Sequence, residues 1–361
     1  MKKYYTYNLG CRVNSYELSV VEQHLLSLGY INSKKTDKNI DVIVINTCSV
    51  TSVADSKSRK MIKYFRRNNP LAKIMVMGCF VEGNPEFDYS DADVYVGTSK
   101  RKEIIKAIDD IDYKYCYDFK KDPDVNNYEY FGITPNQYRR VPEIKIEDGC
   151  NAFCSYCRIC YIRGRVRSRN KDDIFAELDN LTKHGKNEFI FTGINLGEYG
   201  LDLDGYRLAN LLKDVLMRYP SIIVHLSSLE LTTLTDNLIA VIKDNESIDR
   251  HLHIPLQSGS SNILKLMNRK FSQQDYLNKI NTIKEEIPSV TFSTDVIVGF
   301  PGETDEDFKQ TVKVAENVGF SHIHIFPYSI RPGTPAATMP NHVDDQVKKE
   351  RCNTLKGLKN R

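Results

Sequence analysis

The first third of the chain alternates short apolar runs with longer amphipathic stretches. The apolar runs KYYTYNLGC, DVIVINTC and KIMVMGC predict three strands, and DADVYVG predicts a fourth. Nearly continuous apolar runs are typical of strands that are buried on both faces of a parallel sheet. The stretches VNSYELSVVEQHLLSLGY and VADSKSRKMIKYFRRNN predict connecting helices, and a short helix is predicted from about Lys100. The pattern therefore predicts an open parallel-sheet α/β domain over residues 1–115.

A polar stretch without periodicity follows, and we predict a linker over residues 116–140. From residue 141 a second series begins, with strand candidates EIKIEDGC, EFIFTGIN, SIIVHLSSLE, HLHIPLQSGS, VTFSTDVIVGF and SHIHIFPYSI. Helical stretches such as KDDIFAELDNLTKH separate these strands. Strands that alternate with helices in this way predict a (βα)6 partial barrel over residues 141–345, related to the TIM barrel. Residues 346–361 are predicted to form a C-terminal helix or tail.

Composition and charge limit the classes of protein to which the chain can belong. It has nine cysteines, and its first residues, MKKYYTYNLG, lack the apolar core of a signal peptide. No apolar run reaches the roughly 18 residues that a transmembrane helix needs. We therefore expect a cytoplasmic protein with no membrane partner, whose cysteines bind metal instead of forming disulfides. The formal net charge of +3 neither demands nor excludes a nucleic-acid partner.

Three of the predicted strands each end in a cysteine, namely Cys11, Cys48 and Cys79. Strands of βαβ units run parallel, so their carboxyl ends share one edge of the sheet. That edge is where open α/β sheets bind ligands. The three cysteines are therefore predicted to converge as metal ligands. The alternative is that each is a small apolar residue of the core.

A second group of cysteines, Cys150, Cys154 and Cys157, has the spacing C-x3-C-x2-C directly after the first strand of the predicted barrel. Active sites of such barrels lie at the carboxyl ends of the strands. Three thiolates can hold three irons of a 4Fe–4S cluster and leave the fourth iron open to an exogenous ligand. Cys160 offers an alternative, because a fourth thiolate would close the site as a zinc site or a closed cluster.

Several longer motifs occur in order along nearly the whole chain. NLGCRVNSYE, VINTCSVTSVADSKSRK and MGCFVEGNPE resemble the N-terminal domain of the methylthiotransferase family. DGCNAFCSYC followed by RGRVRSR resembles the radical S-adenosylmethionine (SAM) core of that family. FTGINLGEYG, HIPLQSGSSNILKLMNR, DVIVGFPGET and FPYSIRPGTPA continue the resemblance to about residue 340. The family pattern has a proline where this chain has Cys160.

The resemblance implies an enzyme, a radical SAM methylthiotransferase with two 4Fe–4S clusters. One SAM molecule would yield a 5′-deoxyadenosyl radical, and a second would methylate a sulfur on the second cluster. A radical cofactor suits this reaction, because an aromatic C–H is too weak an acid for a side-chain base near neutral pH. The implied ligands are Cys150, Cys154 and Cys157 for the radical SAM cluster and Cys11, Cys48 and Cys79 for the second cluster. An electron donor such as flavodoxin or ferredoxin and a sulfur source are implied as partners.

The resemblance also implies a set of residues that line the SAM pocket, most of them just after barrel strands. They are Tyr156, Gly193, Asn195, Ser228, Glu230, His253, Gln257, Asp295, Gly299 and Pro301. A structural histidine at position 253 and a turn-capping Asp295 are equally open interpretations. GFPGET also has a structural interpretation, because Gly302 permits an unusual φ and Thr304 can cap a helix that begins near Asp305.

Members of the family modify adenosines beside the tRNA anticodon or a ribosomal-protein aspartate. INTCSVTSVADSKSRK resembles the branch that acts on N6-threonylcarbamoyladenosine (t6A), so we expect methylthiolation of t6A at C2 in the tRNA anticodon stem-loop. Isopentenyladenosine tRNA and the ribosomal-protein aspartate are alternative substrates. A non-catalytic, zinc-stabilised RNA-binding protein is an alternative of another class. Family members usually continue into a small RNA-binding β-barrel, the TRAM domain, which we expect to be absent here.

Two groups of basic residues are candidates for contact with RNA phosphates. The first group is spaced by three or four residues on one predicted helix face and consists of Lys57, Lys60, Lys63 and Arg67. The second group alternates along an extended segment beside the cysteine loop and consists of Arg163, Arg165, Arg167 and Arg169. A solvated basic face is the alternative interpretation of the helix.

Overall fold

The computed structural model has an α/β fold, and it describes residues 1–116, 128–130, 132 and 140–358. Its contacts divide the chain into two compact units. The first unit comprises Met1–Gly149 and Arg158–Lys186, and the second comprises Cys150–Cys157 and Asn187–Arg361. The domain bounds taken from the sequence stay predictions, and the predicted linker lies almost entirely outside the described residues. Among those residues, no helix is long and apolar enough to span a membrane.

The first unit contains the strands and helices predicted for the first third of the chain. Its strands are β1 (Lys3–Asn8), β2 (Ile31–Asn32), β3 (Val42–Thr47), β4 (Lys73–Gly78), β5 (Val94–Val96), β6 (Tyr115–Cys116), β7 (Glu143–Lys145), β8 (Glu147–Asp148) and β9 (Arg167–Ser168). Its helices are α1 (Arg12–Ser27), α2 (Ser52–Asn68), α3 (Cys79–Gly83), α4 (Lys102–Asp109), α5 (Ile159–Ile162) and α6 (Lys171–Lys183). The two-residue strands β2 and β6 were missed by the sequence pattern.

Six strands of the first unit form one parallel sheet in the order β2-β1-β3-β4-β5-β6. Alternate residues of β3 enter different cores, with Val42 and Val44 on one face and Ile43 and Ile45 on the other. All six residues of β3 are buried, as are all six of β4. This burial of both faces explains why the strands read as continuous apolar runs.

The second unit contains five of the six strands predicted for the barrel, and the sixth is β7. The strands are β10 (Glu188–Thr192), β11 (Ile223–Leu226), β12 (His251–His253), β13 (Thr291–Val298) and β14 (His322–Pro327). The helices are α7 (Leu208–Arg218), α8 (Asp236–Asp244), α9 (Ser261–Leu266), α10 (Gln273–Glu286), α11 (Asp305–Val318) and α12 (Asp345–Leu358). Strands β10 and β11 pair in parallel, and β12, β13 and β14 form a parallel sheet.

The GFPGET segment has the structure that its turn and cap residues predict. Gly302 has a φ of 84°. The Thr304 hydroxyl caps α11 by accepting from the backbone N–H of Asp307, whose carboxylate accepts from the backbone N–H of Thr304. This reciprocal capping box satisfies two of the N–H groups that a helix start leaves without partners. The alternation of strands and helices in both units confirms the predicted α/β class.

Candidate functional site

Cys11, Cys48 and Cys79 follow three neighbouring strands of the first sheet. Cys11 comes after β1 and precedes α1, Cys48 directly follows β3, and Cys79 directly follows β4. Because β1, β3 and β4 are adjacent and parallel, all three residues lie at one edge of the sheet, as predicted. Cys48 and Cys79 are buried, and Cys11 is exposed. Burial raises the pKa of Cys79 to about 12, with further contributions from the thiols of Cys48 and Cys11.

A network of amide side chains holds the backbone beside these cysteines. The Asn14 amide donates to Asn46 Oδ1 over 2.7 Å and to the carbonyl of Thr47 over 3.0 Å. Its oxygen lies 3.2 Å from the sulfur of Cys11. Gly78 has a φ of 105°, and a Cβ there would lie 2.4 Å from Asn46 Oδ1. Glycine is therefore required immediately before Cys79.

Arg163 joins this edge of the sheet to a buried group of charges. Its Nε donates to the sulfur of Cys79 over 3.3 Å. Its Nη1 donates to Glu17 over 2.9 Å and to Asp148 over 3.0 Å. Glu17 and Asp148 also contact Arg101 and Lys145. We call these five residues the buried ion cluster, and the side chain of each is at most 1% exposed.

Mutual attraction keeps the carboxylates of the buried ion cluster ionised. Burial alone would raise the pKa of Glu17, but Arg101, Arg163 and Lys145 lower it well below its usual value. Burial opposes ionisation of Asp148 in the same way, and the same three cations hold its pKa well below the usual range. Removing one partner of a buried ion pair leaves an uncompensated charge, which is strongly destabilising.

The loop that carries Cys150, Cys154 and Cys157 belongs to the second unit. The thiol of Cys150 accepts from the backbone N–H of Ala152 over 3.4 Å, and the Asn195 amide nitrogen lies 3.8 Å from the same sulfur. Burial raises the pKa of Cys150, and the thiols of Cys157 and Cys154 raise it further. Cys150, Cys154 and Cys157 therefore lie on one short loop, as their spacing predicts.

Residues around α9 hold this cysteine loop in place. The backbone N–H of Ser155 donates to the carbonyl of Met267 over 3.0 Å, and the Ser155 hydroxyl donates to the carbonyl of Leu266 over 2.7 Å. The Asn268 amide donates to the carbonyl of Phe153, a residue with a φ of 47°. Tyr156 packs edge-on against Phe300 in a small apolar core. The loop is thus fixed by packing and by hydrogen bonds on both sides of Cys154.

Arg269 links the loop to a carboxylate. Its Nη1 donates to the sulfur of Cys154 over 3.4 Å, and its Nη2 donates to Glu230 over 2.7 Å. Burial raises the pKa of Glu230, and the charge of Arg269 opposes that rise. Arg269 is therefore a cationic hydrogen-bond donor to the sulfur of Cys154, as Arg163 is to the sulfur of Cys79.

The structure distributes the residues predicted for SAM among the ends of the second-unit strands. Gly193 and Asn195 follow β10, Ser228 and Glu230 follow β11, and Gln257 follows β12. Gly299 and Pro301 follow β13, whereas His253 and Asp295 lie within β12 and β13. Two residues of the set are linked to the cysteine loop by hydrogen bonds, Asn195 directly and Glu230 through Arg269. Gln257 has a φ of 66°, which positions its backbone beside β13 through bonds to Asp295 and Ile297.

Both cysteine groups have the donor set that a 4Fe–4S cluster needs. All nine cysteines are free thiols; three of them follow adjacent parallel strands of one sheet, and three share the loop from Cys150 to Cys157. Each group also has N–H donors directed at sulfur, from Arg163 in one case and from Ala152, Asn195 and Arg269 in the other. Such donors orient sulfur ligands and set the reduction potential of a cluster. Each group therefore fits a cluster with three cysteine ligands and one open iron.

The arginine run corrects one prediction from the sequence. Arg163, Arg167 and Arg169 are buried, and Arg165 is exposed. Arg163 belongs to the buried ion cluster, Arg167 lies 3.8 Å from Asp148, and Arg169 pairs with Glu177. The prediction that all four contact RNA is therefore wrong for these three, because their charges are neutralised inside the protein. Alternating arginines in a sequence therefore do not show whether the side chains form a basic surface or a buried set of ion pairs.

The basic helix face agrees better with its prediction. Lys57, Lys60, Lys63 and Arg67 are all exposed on α2. Arg66, on the same helix, instead pairs with Asp93 over 2.6 Å. The exposed group therefore remains available to a polyanion.

Sequence reasoning missed two residues that contact cluster cysteines directly. Arg269 had no assigned role, and Arg163 was assigned to RNA. No local pattern identified either role, because the partner that decides it is distant in sequence. Cys79 precedes Arg163 by 84 positions, and Cys154 precedes Arg269 by 115 positions.

Two family models match the chain. Residues 144–315 match the Radical SAM superfamily, and residues 3–96 match a family described as Uncharacterized protein family UPF0004. The second of these ranges includes all three strand-end cysteines of the first sheet.

Curated relatives match the chain over nearly its full length. It is 37% identical to threonylcarbamoyladenosine tRNA methylthiotransferase MtaB of Bacillus subtilis, with 98% of this chain and 79% of that protein covered. It is 39% identical to the Chlamydia pneumoniae protein of the same name, with 95% and 78% covered. It is 36% identical to tRNA-2-methylthio-N(6)-dimethylallyladenosine synthase of Acetivibrio thermocellus, with 100% and 77% covered.

Solved structures with low sequence identity share the fold. The radical SAM methyltransferase TsrM from Kitasatospora setae has a TM-score of 0.65 at 14% identity, with 93% of this chain and 74% of that chain covered. The cobalamin-dependent SAM radical enzyme OxsB has a TM-score of 0.60 at 12% identity, with 100% and 56% covered.

Proposed function

Because the chain belongs to the radical SAM family of tRNA methylthiotransferases, we propose that it acts on t6A beside the anticodon, at C2 of the adenine. The observation that carries this choice is the segment INTCSVTSVADSKSRK. It spans the end of β3, Cys48 and the first half of α2. It resembles the branch that acts on t6A. The relatives named for t6A are 35–39% identical to the chain.

The isopentenyladenosine branch is a second candidate substrate class. A relative named as a dimethylallyladenosine synthase is 36% identical to this chain, which nearly equals the identity to the t6A relatives. Overall identity therefore does not separate the two branches. The enzyme class is common to both, because each named activity adds a methylthio group to tRNA.

Two 4Fe–4S clusters and SAM supply the radical and the methylthio group in this family. The chain's own residues fix where that chemistry takes place. Arg163 and Arg269 would each donate a hydrogen bond to the sulfur of a cysteine ligand, and the buried ion cluster holds Arg163 in position. We propose that the predicted SAM residues at the ends of β10, β11 and β13 line its pocket, with Asn195 and Glu230 on the side of the cysteine loop.

Nucleoside mass spectrometry of total tRNA, from cells with and without this gene, tests the proposed substrate. We expect 2-methylthio-t6A to disappear from the deletion strain and t6A to accumulate. Re-expression of the wild-type gene should restore the nucleoside, and re-expression of Cys150→Ala should not. If 2-methylthio-t6A is unchanged while the methylthio derivative of isopentenyladenosine is lost, the t6A assignment is wrong and the family assignment stands.

The exposed basic face of α2 is the part of the chain that we propose contacts the anticodon stem-loop. Changing Lys57, Lys60 and Lys63 together to glutamine is expected to weaken binding of a stem-loop RNA. Each lost phosphate contact lowers the slope of log affinity against log salt by about one, so the triple variant should lose about two to three units of slope. Fluorescence anisotropy between low and moderate salt measures this slope.

A matched control changes three exposed lysines in helices of the second unit, Lys213, Lys309 and Lys349. The control removes the same net charge but not the α2 face. Equal losses of slope in both triple variants would show that α2 contributes only to the overall charge, and the proposed interface would be abandoned.

A further inference from the structure

The sheet formed by β12, β13 and β14 has one apolar face and one polar face. Leu252, Phe292, Val296 and Ile323 are buried on one side. Successive residues of a strand point to opposite faces, and most residues that alternate with these four are polar, Ile297 excepted. These polar residues are His251, His253, Ser293, Asp295, His322 and His324. Four of the chain's eight histidines therefore share one face of one sheet.

Three of these polar residues come together across the three strands. Asp295 lies directly opposite His324 in the β13–β14 register, and His253 lies opposite Ser293 in the β12–β13 register. The Nε2 of His253 is 3.3 Å from Oδ1 of Asp295. The ring centroids of His253 and His324 are 5.7 Å apart. One ligand atom from each of His253, Asp295 and His324 lies within 4.8 Å of the other two.

The other nitrogen of each imidazole is held by a neighbouring polar group. Nδ1 of His253 lies 3.0 Å from the hydroxyl oxygen of Ser293, and that oxygen lies 2.9 Å from Nε2 of His251. Nδ1 of His324 lies 3.2 Å from Nε2 of His322. A histidine that binds metal through one nitrogen usually has its second nitrogen fixed in this way, which sets the tautomer and the ring orientation.

We propose that His253, Asp295 and His324 hold a divalent first-row transition-metal ion, through Nε2 of both imidazoles and the carboxylate. Two imidazoles and one carboxylate suit Zn²⁺, Fe²⁺ or Ni²⁺. The site contains no thiolate and uses none of the six cluster cysteines. Its ligand side chains are partly exposed, so the ion keeps coordination positions for water or another oxygen ligand. The proposal assigns His253 and Asp295 to a metal ion in place of SAM.

Equilibrium dialysis against Ni²⁺, on protein that carries both iron–sulfur clusters, tests this site. We expect about one Ni²⁺ per chain. Asp295→Ala and His324→Ala should each weaken binding by about tenfold or more, because each removes a ligand. Ser293→Ala should weaken it by about tenfold, because loss of a group that orients a ligand typically costs 10–100-fold in metal affinity. If an isolated surface imidazole bound the Ni²⁺ instead, the Ser293→Ala substitution would not change the affinity.

His184→Ala is the matched control, since His184 is an exposed histidine at the end of α6, outside this sheet. Its affinity for Ni²⁺ should equal that of the parent protein. Iron content and circular dichroism confirm that each variant is folded, and Asp295→Asn and His324→Gln replace any alanine variant that is not. Absence of a stoichiometric site in the parent, or unchanged binding in the Asp295 and His324 variants, overturns the proposal. Neither result bears on the tRNA substrate, which the nucleoside analysis tests separately.

Discussion

Cys150→Ala is expected to abolish the cleavage of SAM, while Cys11→Ala leaves that cleavage intact and abolishes methylthio transfer. The reason is that the two cysteine groups are built from different elements, one from a loop of the second unit and one from an edge of the first sheet. Each group has only three thiols, so the loss of one removes a third of the protein ligands of that cluster. Iron content should fall from about eight per chain to about four in each variant.

Iron analysis, together with chromatographic detection of 5′-deoxyadenosine, measures both effects. Cys116→Ala is the control, because Cys116 lies on the edge strand β6, away from both ligand sets in sequence, and is exposed. That variant should keep about eight irons. Loss of all the iron in both single variants would mean that the two sites are not independent. Zinc in place of iron in anaerobically purified protein would exclude the cluster assignment altogether.

Arg163→Met is expected to lower the free energy of unfolding by about 3–5 kcal/mol, because Glu17 and Asp148 each lose a charge-assisted hydrogen bond worth about 1.5–3 kcal/mol. Glu17 and Asp148 would keep their charges in a site with two cations in place of three. The same substitution removes the N–H donor to Cys79. We therefore also expect a more negative reduction potential for the second cluster, because a cationic donor to a sulfur ligand favours the reduced form.

Denaturant unfolding measures the first effect, and a redox titration in the Cys150→Ala background isolates the second. Arg165→Met is the matched control, because Arg165 is exposed and belongs to the same segment. Arg163→Lys should recover part of the stability but not the full geometry, since an ammonium lacks the planar fork of a guanidinium. If Arg163→Met unfolds like the control and leaves the potential unchanged, Arg163 has no positioning role.

Acid unfolding gives a second measure of how much the buried ion cluster stabilises the protein. The pKa values of Glu17 and Asp148 are held below their usual values, so the stabilisation they provide is fully present above about pH 5. It is lost as the pH falls through their folded-state pKa values, because protonation then breaks the ion pairs. Arg163→Met removes one cause of that lowering, so its acid transition should occur at a higher pH than that of the Arg165→Met control.

Local patterns predicted the parts of the structure that depend on local rules. β3 is apolar from Val42 to Ile45 and β4 from Ile74 to Met77 because both faces of the sheet are covered, and that burial appears directly in their sequences. Cys48 and Cys79 were placed correctly because parallel strands deliver their carboxyl ends to one edge. Thr304 was identified as a cap because a capping box is contained within four residues.

The parts that failed depend on partners that are distant along the chain. The sequence pattern places Arg163 and Arg169 in an exposed basic stripe. In the folded protein they pair with Glu17 and Glu177 and are buried. His324 was not singled out at all, because its relation to Asp295 exists only through the register of β13 with β14. Side-chain charge and spacing were visible in both cases, but burial and cross-strand pairing are consequences of tertiary structure.

The interleaving of the two units along the chain has a consequence for biosynthesis. A nascent chain of 149 residues already contains Cys11, Cys48 and Cys79, together with Glu17 and Asp148. It lacks Arg163, which is made only after the cysteine loop of the other unit. The surroundings of the second-cluster ligands are therefore completed late in translation, and the first unit cannot be expressed as an intact N-terminal fragment by a single cut.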